Sequence, residues 1–206
     1  HTPEGPAVKN IVLMGMGEPL ANYENTVKAI RILTSDFGLG FSGRKITVST
    51  CGLAPKIAQL GKEICVNLAI SLNAPDDKRR DELMPVNRTY PIQELLRACR
   101  DYPMPGRRML TFEYILMAGL NDAPADAKKL ARLLGGLRCK LNLIAFNEFP
   151  GSDYRMPTPE AVSAFQQVLL DRHFTAIVRA SHGRDILAAC GQLSGQAPPS
   201  ASLLPR

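Results

Sequence analysis

Short apolar runs alternate with amphipathic stretches along this chain, and the two periods predict strands and helices in turn. Residues 10–15 (NIVLMG) read as a buried strand, and residues 45–50 (KITVST) and 66–72 (VNLAISL) as the next two. Leu110–Leu116 (LTFEYIL), residues 140–146 (KLNLIAF) and a shorter run at 176–179 (AIVR) complete the set. Such near-continuous runs suit parallel strands covered on both faces. Between them, Asn22 stands where it could cap a helix over Tyr23–Thr34, and Pro55 suits a first helical turn. Pro91 opens a segment in which Ile92, Leu95, Leu96 and Cys99 share one helix face, and Ala127, Leu130, Ala131 and Leu134 repeat that spacing. Thr158 and Pro159 start a last helix carrying Val162, Phe165 and Leu169. The alternation predicts an α/β fold of parallel strands joined by right-handed crossovers, as a barrel or an open sheet.

In such folds ligands gather at the C-terminal ends of the strands, so the residues that follow each strand are the candidates for chemistry. The first strand runs into Met14-Gly15-Met16-Gly17-Glu18-Pro19, which is either a site where glycines permit close backbone approach and Glu18 offers a carboxylate for an ammonium group, or a Gly-rich turn with a solvated Glu. The second ends in Ser49-Thr50-Cys51-Gly52, which is either a polar binding turn or a helix cap beside a buried thiol. Ser71 and Asn73 close the third run two residues apart and therefore face the same way. Asn147 closes the fifth. Four polar strand ends suggest a small polar ligand lying across the mouth of the sheet.

Composition narrows this picture only slightly. The 206 residues suffice for one domain with a sizeable core, and the 45% hydrophobic and 21% charged content is ordinary for a globular protein. No run approaches the roughly 20 apolar residues of a transmembrane helix. A net charge of +6 favours polyanionic partners weakly. The clusters Lys78-Arg79-Arg80 and Arg107-Arg108 are either phosphate grips or ordinary basic surface. Five widely spaced cysteines (Cys51, Cys65, Cys99, Cys139 and Cys190) predict no disulfide framework and a reducing cytoplasmic setting. No C-x-x-C or C-x-x-x-C pair occurs, so no metal ligand is assigned within the chain. Cys190, between small residues near the end, is either a nucleophile or a small buried side chain. His1, His173 and His182 lack ligand-spaced partners, and a first residue other than Met places the expected gene start upstream.

Seven of these blocks resemble, in order, the radical S-adenosylmethionine dual-specificity 23S rRNA/tRNA adenine-C2 methyltransferase family. They are NIVLMGMGEPLANY, RKITVSTCGLAPKI, VNLAISLNAPDD, LMPVNRTYPI, FEYILMAGLND, NLIAFNEFPGS and GRDILAACGQL. The resemblance runs from Asn10 to Leu193. It implies a partial radical-SAM (β/α)6 barrel lacking the first strand and its cluster loop. Residues 1–193 would form this core with the C-terminal Cys segment, and residues 194–206, rich in Ser, Pro and Ala, a disordered tail. It also implies S-adenosyl-L-methionine and, in the full-length family, a [4Fe–4S] cluster. Gly17, Glu18, Ser49, Ser71, Leu72, Asn73 and Asn147 match cofactor-binding positions of that family, and Cys190 matches the cysteine that is methylated before the methyl carbon passes to C2.

The family's C-x-x-x-C-x-x-C motif does not occur in these 206 residues, nor does a second upstream cysteine that resolves the RNA adduct. The N-terminal RNA-binding domain is also missing, Ala145 and Glu148 stand where prolines are expected, and Ser181-His182 is atypical. The resemblance implies the C-terminal part of a monomeric, cytoplasmic enzyme acting on 23S rRNA and tRNA, inactive as an isolated chain and without membrane contact. Rival readings are the sister enzyme methylating C8 of adenosine, a cluster-free RNA-binding relative, and an unrelated barrel acting on a phosphorylated metabolite.

Overall fold

A computed structural model describes residues 8–180. Every strand expected from the sequence forms: β1 (Ile11–Leu13), β2 (Ile46–Thr50), β3 (Asn67–Ser71), β4 (Leu110–Leu116), β5 (Cys139–Ala145) and β6 (Thr175–Arg179). They make one six-stranded sheet in chain order, with every pairing parallel. The helices are α1 (Tyr23–Thr34), α2 (Ala54–Glu63), α3 (Asp77–Leu83), α4 (Ile92–Asp101), α5 (Pro124–Leu133) and α6 (Pro159–Leu170).

One expectation of the apolar runs is corrected. The strands are not covered on both faces: burial alternates residue by residue in β2, β4 and most of β5. Ile46, Val48, Leu68, Ile70, Phe112, Tyr114, Leu141 and Leu143 are buried in one core with Ile57 and Leu60 of α2, Leu95 of α4, Leu130 of α5 and Phe165 of α6. Burying each such side chain contributes about 1.5–3 kcal/mol. The opposite face carries Thr47, Ser49, Thr111, Glu113, Lys140 and Asn142, all only partly buried. Val12 of β1, Met14 just after it, and Ile177 and Arg179 of β6 border one trough of about 560 Å³ on this face. The sheet therefore curls into a partial barrel, and its second face lines a hollow instead of meeting another helical layer.

Local signals explain most helix starts. Thr158 Oγ1 accepts the Ala161 amide at 3.2 Å and caps α6, and Pro55 lies in the first turn of α2. Asn22 precedes α1, but its side chain makes no cap: its Oδ1 accepts from Asn25 Nδ2 at 2.7 Å. Helix α3 has no counterpart in the periodic pattern. It starts at Asp76, whose Oδ1 accepts the Arg79 amide at 3.1 Å.

Candidate functional site

The C-terminal strand ends enclose a cavity of about 230 Å³. Gly17 and Glu18 after β1, Ser49, Thr50 and Cys51 at the end of β2, Ser71 and Asn73 at the end of β3, and Glu113 of β4 all line it. It joins the larger trough through Met14, Glu113 and Ile144, which line both.

Glu18 is anchored at this site by two backbone amides. Its Oε1 accepts the Leu20 amide at 2.9 Å and its Oε2 the Cys51 amide at 2.7 Å. The two contacts bind the β1 loop to the end of β2 and hold the carboxylate at the cavity wall with lone pairs to spare. Gly17 precedes it at φ +89°, a conformation that glycine adopts without strain. The Cys51 thiol is pushed up to about 12, first by burial and then by its hydrogen bond to Glu18 and that residue's charge, so it stands as a neutral thiol.

Ser71 and Asn73 both line the cavity, although Asn73 lies past the end of β3 and outside its alternation. Asn73 adopts φ +59°, and its Oδ1 accepts the Ile115 amide at 3.0 Å, joining the end of β3 to β4. Asn121 supports it from below: its Nδ2 donates to the carbonyls of Asn73 and Ile115, both at 2.8 Å, and its Oδ1 accepts the Met117 amide at 2.7 Å. Leu72 lies in the core, with its amide given to the Glu113 carbonyl at 2.9 Å and its carbonyl taken by Arg80 Nε at 3.2 Å. Asn147 is buried outside the cavity lining, so three of the four polar strand ends meet there. Cys190 and the 194–206 tail lie outside the described residues.

Glu113 is a lining residue that sequence reasoning missed. It pairs in register with Ser71 and Asn142 and accepts from Asn142 Nδ2 at 3.2 Å. The signal was there, as a lone acid in the middle of an apolar strand run. Of the two readings of the basic clusters, ordinary structure accounts for Arg79, Arg80 and Arg108. Arg79 forms a 2.6 Å ion pair with Asp126, and Arg80 is fully buried. Arg108 precedes β4, at the end opposite the cavity, and meets Cys65 Sγ at 3.3 Å.

A carboxylate held by two backbone amides, flanked by hydroxyls and an amide at the mouth of a curled parallel sheet, can receive an ammonium group. The chain belongs to the Radical SAM superfamily, whose sequence model matches residues 4–133. It is 70% identical over 197 residues to the dual-specificity RNA methyltransferase RlmN of Syntrophus aciditrophicus (strain SB), covering 96% of this chain and 57% of that protein. The structure matches a radical SAM methyltransferase from Sphaerobacter thermophilus with TM-score 0.87 and 50% identity, over 92% of this chain and 56% of that one. A domain of pyruvate-formate lyase-activating enzyme from Bacteroides vulgatus, 20% identical, shares the fold with TM-score 0.64, over 83% of this chain and 99% of that one. The chain spans just over half the length of the RNA methyltransferase relative.

Full-length members of the superfamily use S-adenosyl-L-methionine and a [4Fe–4S] cluster. The residues present suit the former: Glu18 can receive its ammonium group, and Ser49, Ser71 and Asn73 stand beside it. They do not suit the latter. Among the described residues no group of three or more Cys, His, Asp or Glu could hold a metal ion, and Cys51, Cys65, Cys99 and Cys139 are free.

Proposed function

We propose that this chain is the S-adenosylmethionine-binding part of a monomeric, cytoplasmic RNA methyltransferase that methylates C2 of adenosine in 23S rRNA and tRNA. The observation that carries the reading is Glu18, a carboxylate held by two amides at the wall of a cavity on the strand ends. High identity to an RNA methyltransferase over nearly the whole chain supports it. When bound, S-adenosylmethionine supplies the methyl group and, with a cluster ligated outside the described residues, the radical that a non-nucleophilic C2 requires. The chain's own part is to bind and orient. Glu18 takes the ammonium group, Gly17 leaves its backbone open to the ligand, and Ser49, Ser71 and Asn73 offer polar contacts. Cys190 is the acceptor of the first methyl group.

Glu18→Gln tests the binding step. It keeps size and an acceptor oxygen but removes the charge, so S-adenosylmethionine affinity measured by equilibrium dialysis should fall at least about tenfold. Unchanged affinity would overturn the assignment of Glu18. Digestion of RNA modified by the full-length enzyme should yield 2-methyladenosine, whereas 8-methyladenosine would move the chain to the sister activity.

A further inference from the structure

Arg80 is a fully buried cation with no carboxylate of the described residues in direct contact. Its Nη2 donates to the carbonyls of Cys51 at 2.6 Å and Ser71 at 3.2 Å, its Nε to the carbonyl of Leu72 at 3.2 Å, and its Nη1 to Asn87 Oδ1 at 2.8 Å. Asn87 is anchored in turn by Asp77 Oδ1 at 3.0 Å and Asp81 Oδ1 at 2.7 Å, which bring negative charge one residue away. One guanidinium thus joins the C-terminal ends of β2 and β3 from beneath. Space is kept for it: Gly52 sits at φ +114°, and a Cβ there would lie 3.1 Å from Arg80 Nη2.

The strand ends it joins are those that carry the site. The residue whose carbonyl Arg80 holds most tightly, Cys51, is also the one whose amide holds Glu18. Ser71, whose carbonyl it takes as well, lines the same cavity. A planar fork with five donors can serve four acceptors at fixed angles, which a lysine ammonium on a flexible stem cannot. We propose that Arg80 is a positioning residue for the amino-acid end of S-adenosylmethionine, acting through Cys51 on the Glu18 carboxylate. This rests on the reading of Glu18 as the ammonium binder.

The test compares two probes on the cluster-loaded full-length protein: S-adenosylhomocysteine, which keeps the amino-acid end, and 5′-methylthioadenosine, which lacks it. Arg80→Lys should weaken S-adenosylhomocysteine about tenfold and change 5′-methylthioadenosine by less than about twofold, erasing most of the preference between them. Asn87→Ala, which releases the guanidinium from its far side and leaves the cavity lining untouched, should show the same selectivity at about threefold and stands in if Arg80→Lys does not fold. Equal losses for both probes would make Arg80 merely structural and overturn the proposal, as would unchanged binding. Selective loss in Glu18→Gln without it in the Arg80 and Asn87 variants sinks only the Arg80 role. If the unsubstituted protein does not prefer S-adenosylhomocysteine, the ammonium reading of Glu18 fails, and the role of Arg80 falls with it.

Discussion

Asn121 spends all of its amide on backbone, donating to the Asn73 and Ile115 carbonyls and accepting the Met117 amide. Truncation to Ala would leave three backbone groups, at least two of them buried, unpaired at the ends of β3 and β4. The expected cost is about 2–4 kcal/mol in urea denaturation, together with weaker ligand binding because Asn73 loses its support. The buried thiols act on stability in a different way. Burial raises Cys51, Cys99 and Cys139 from about 9 to about 12. Between those values the unfolded chain has released these protons while the folded chain keeps them. Stability is thus unaffected below about pH 9 and falls as pH rises toward 12, by about 1 kcal/mol per pH unit for each thiol. A denaturation series from pH 8 to 11 should show it, and Cys99→Ala should flatten the slope. Glu18, Ser71 and Asn73 were legible in the sequence because each is a polar residue at or just past the end of an apolar run. Arg80 and Asn121 were not, because their partners are mostly backbone carbonyls and amides, and a backbone group leaves no residue type to read.

At the scale of elements, periodicity was enough where burial is apolar. Helix α6 came from Val162, Phe165 and Leu169, and all three are buried. Phe165 lies 5.3 Å, centroid to centroid, from Tyr114 and so fixes α6 over β4. Phe165→Ala should cost about 3–5 kcal/mol, read as a lowered urea midpoint, because the ring is fully enclosed and the void cannot close. Helix α3 escaped the pattern for the converse reason: its seven residues, DKRRDEL, bury only Arg80. A helix whose inward residue is charged looks like solvated surface until the fold supplies partners for the charge. The strands misled in one respect. The runs looked apolar throughout, yet Ser49, Glu113 and Asn142 alternate with the core residues and face the cavity or the trough, on the wet side of the sheet.

For the molecule as a whole, the proposed function puts binding and radical generation on different parts of the protein. The described residues bring together a cavity at the strand ends, while the three-cysteine motif occurs nowhere in the 206 residues and no metal-holding cluster of side chains forms among those described. The edges of the sheet are consistent with a surface meant to be extended: β1 is only three residues long, and no described strand pairs with its outer side or with the outer side of β6. The isolated chain should therefore bind S-adenosylhomocysteine yet transfer no methyl group to RNA. Labelled methyl incorporation into unmodified 23S rRNA and tRNA under reducing conditions, run beside equilibrium dialysis on the same sample, separates the two capacities. Binding without incorporation is the expected result. Incorporation by this chain alone would mean that the radical chemistry needs no cluster ligands beyond those present. Absence of both would mean that the strand ends hold their geometry only when the rest of the barrel is joined to them.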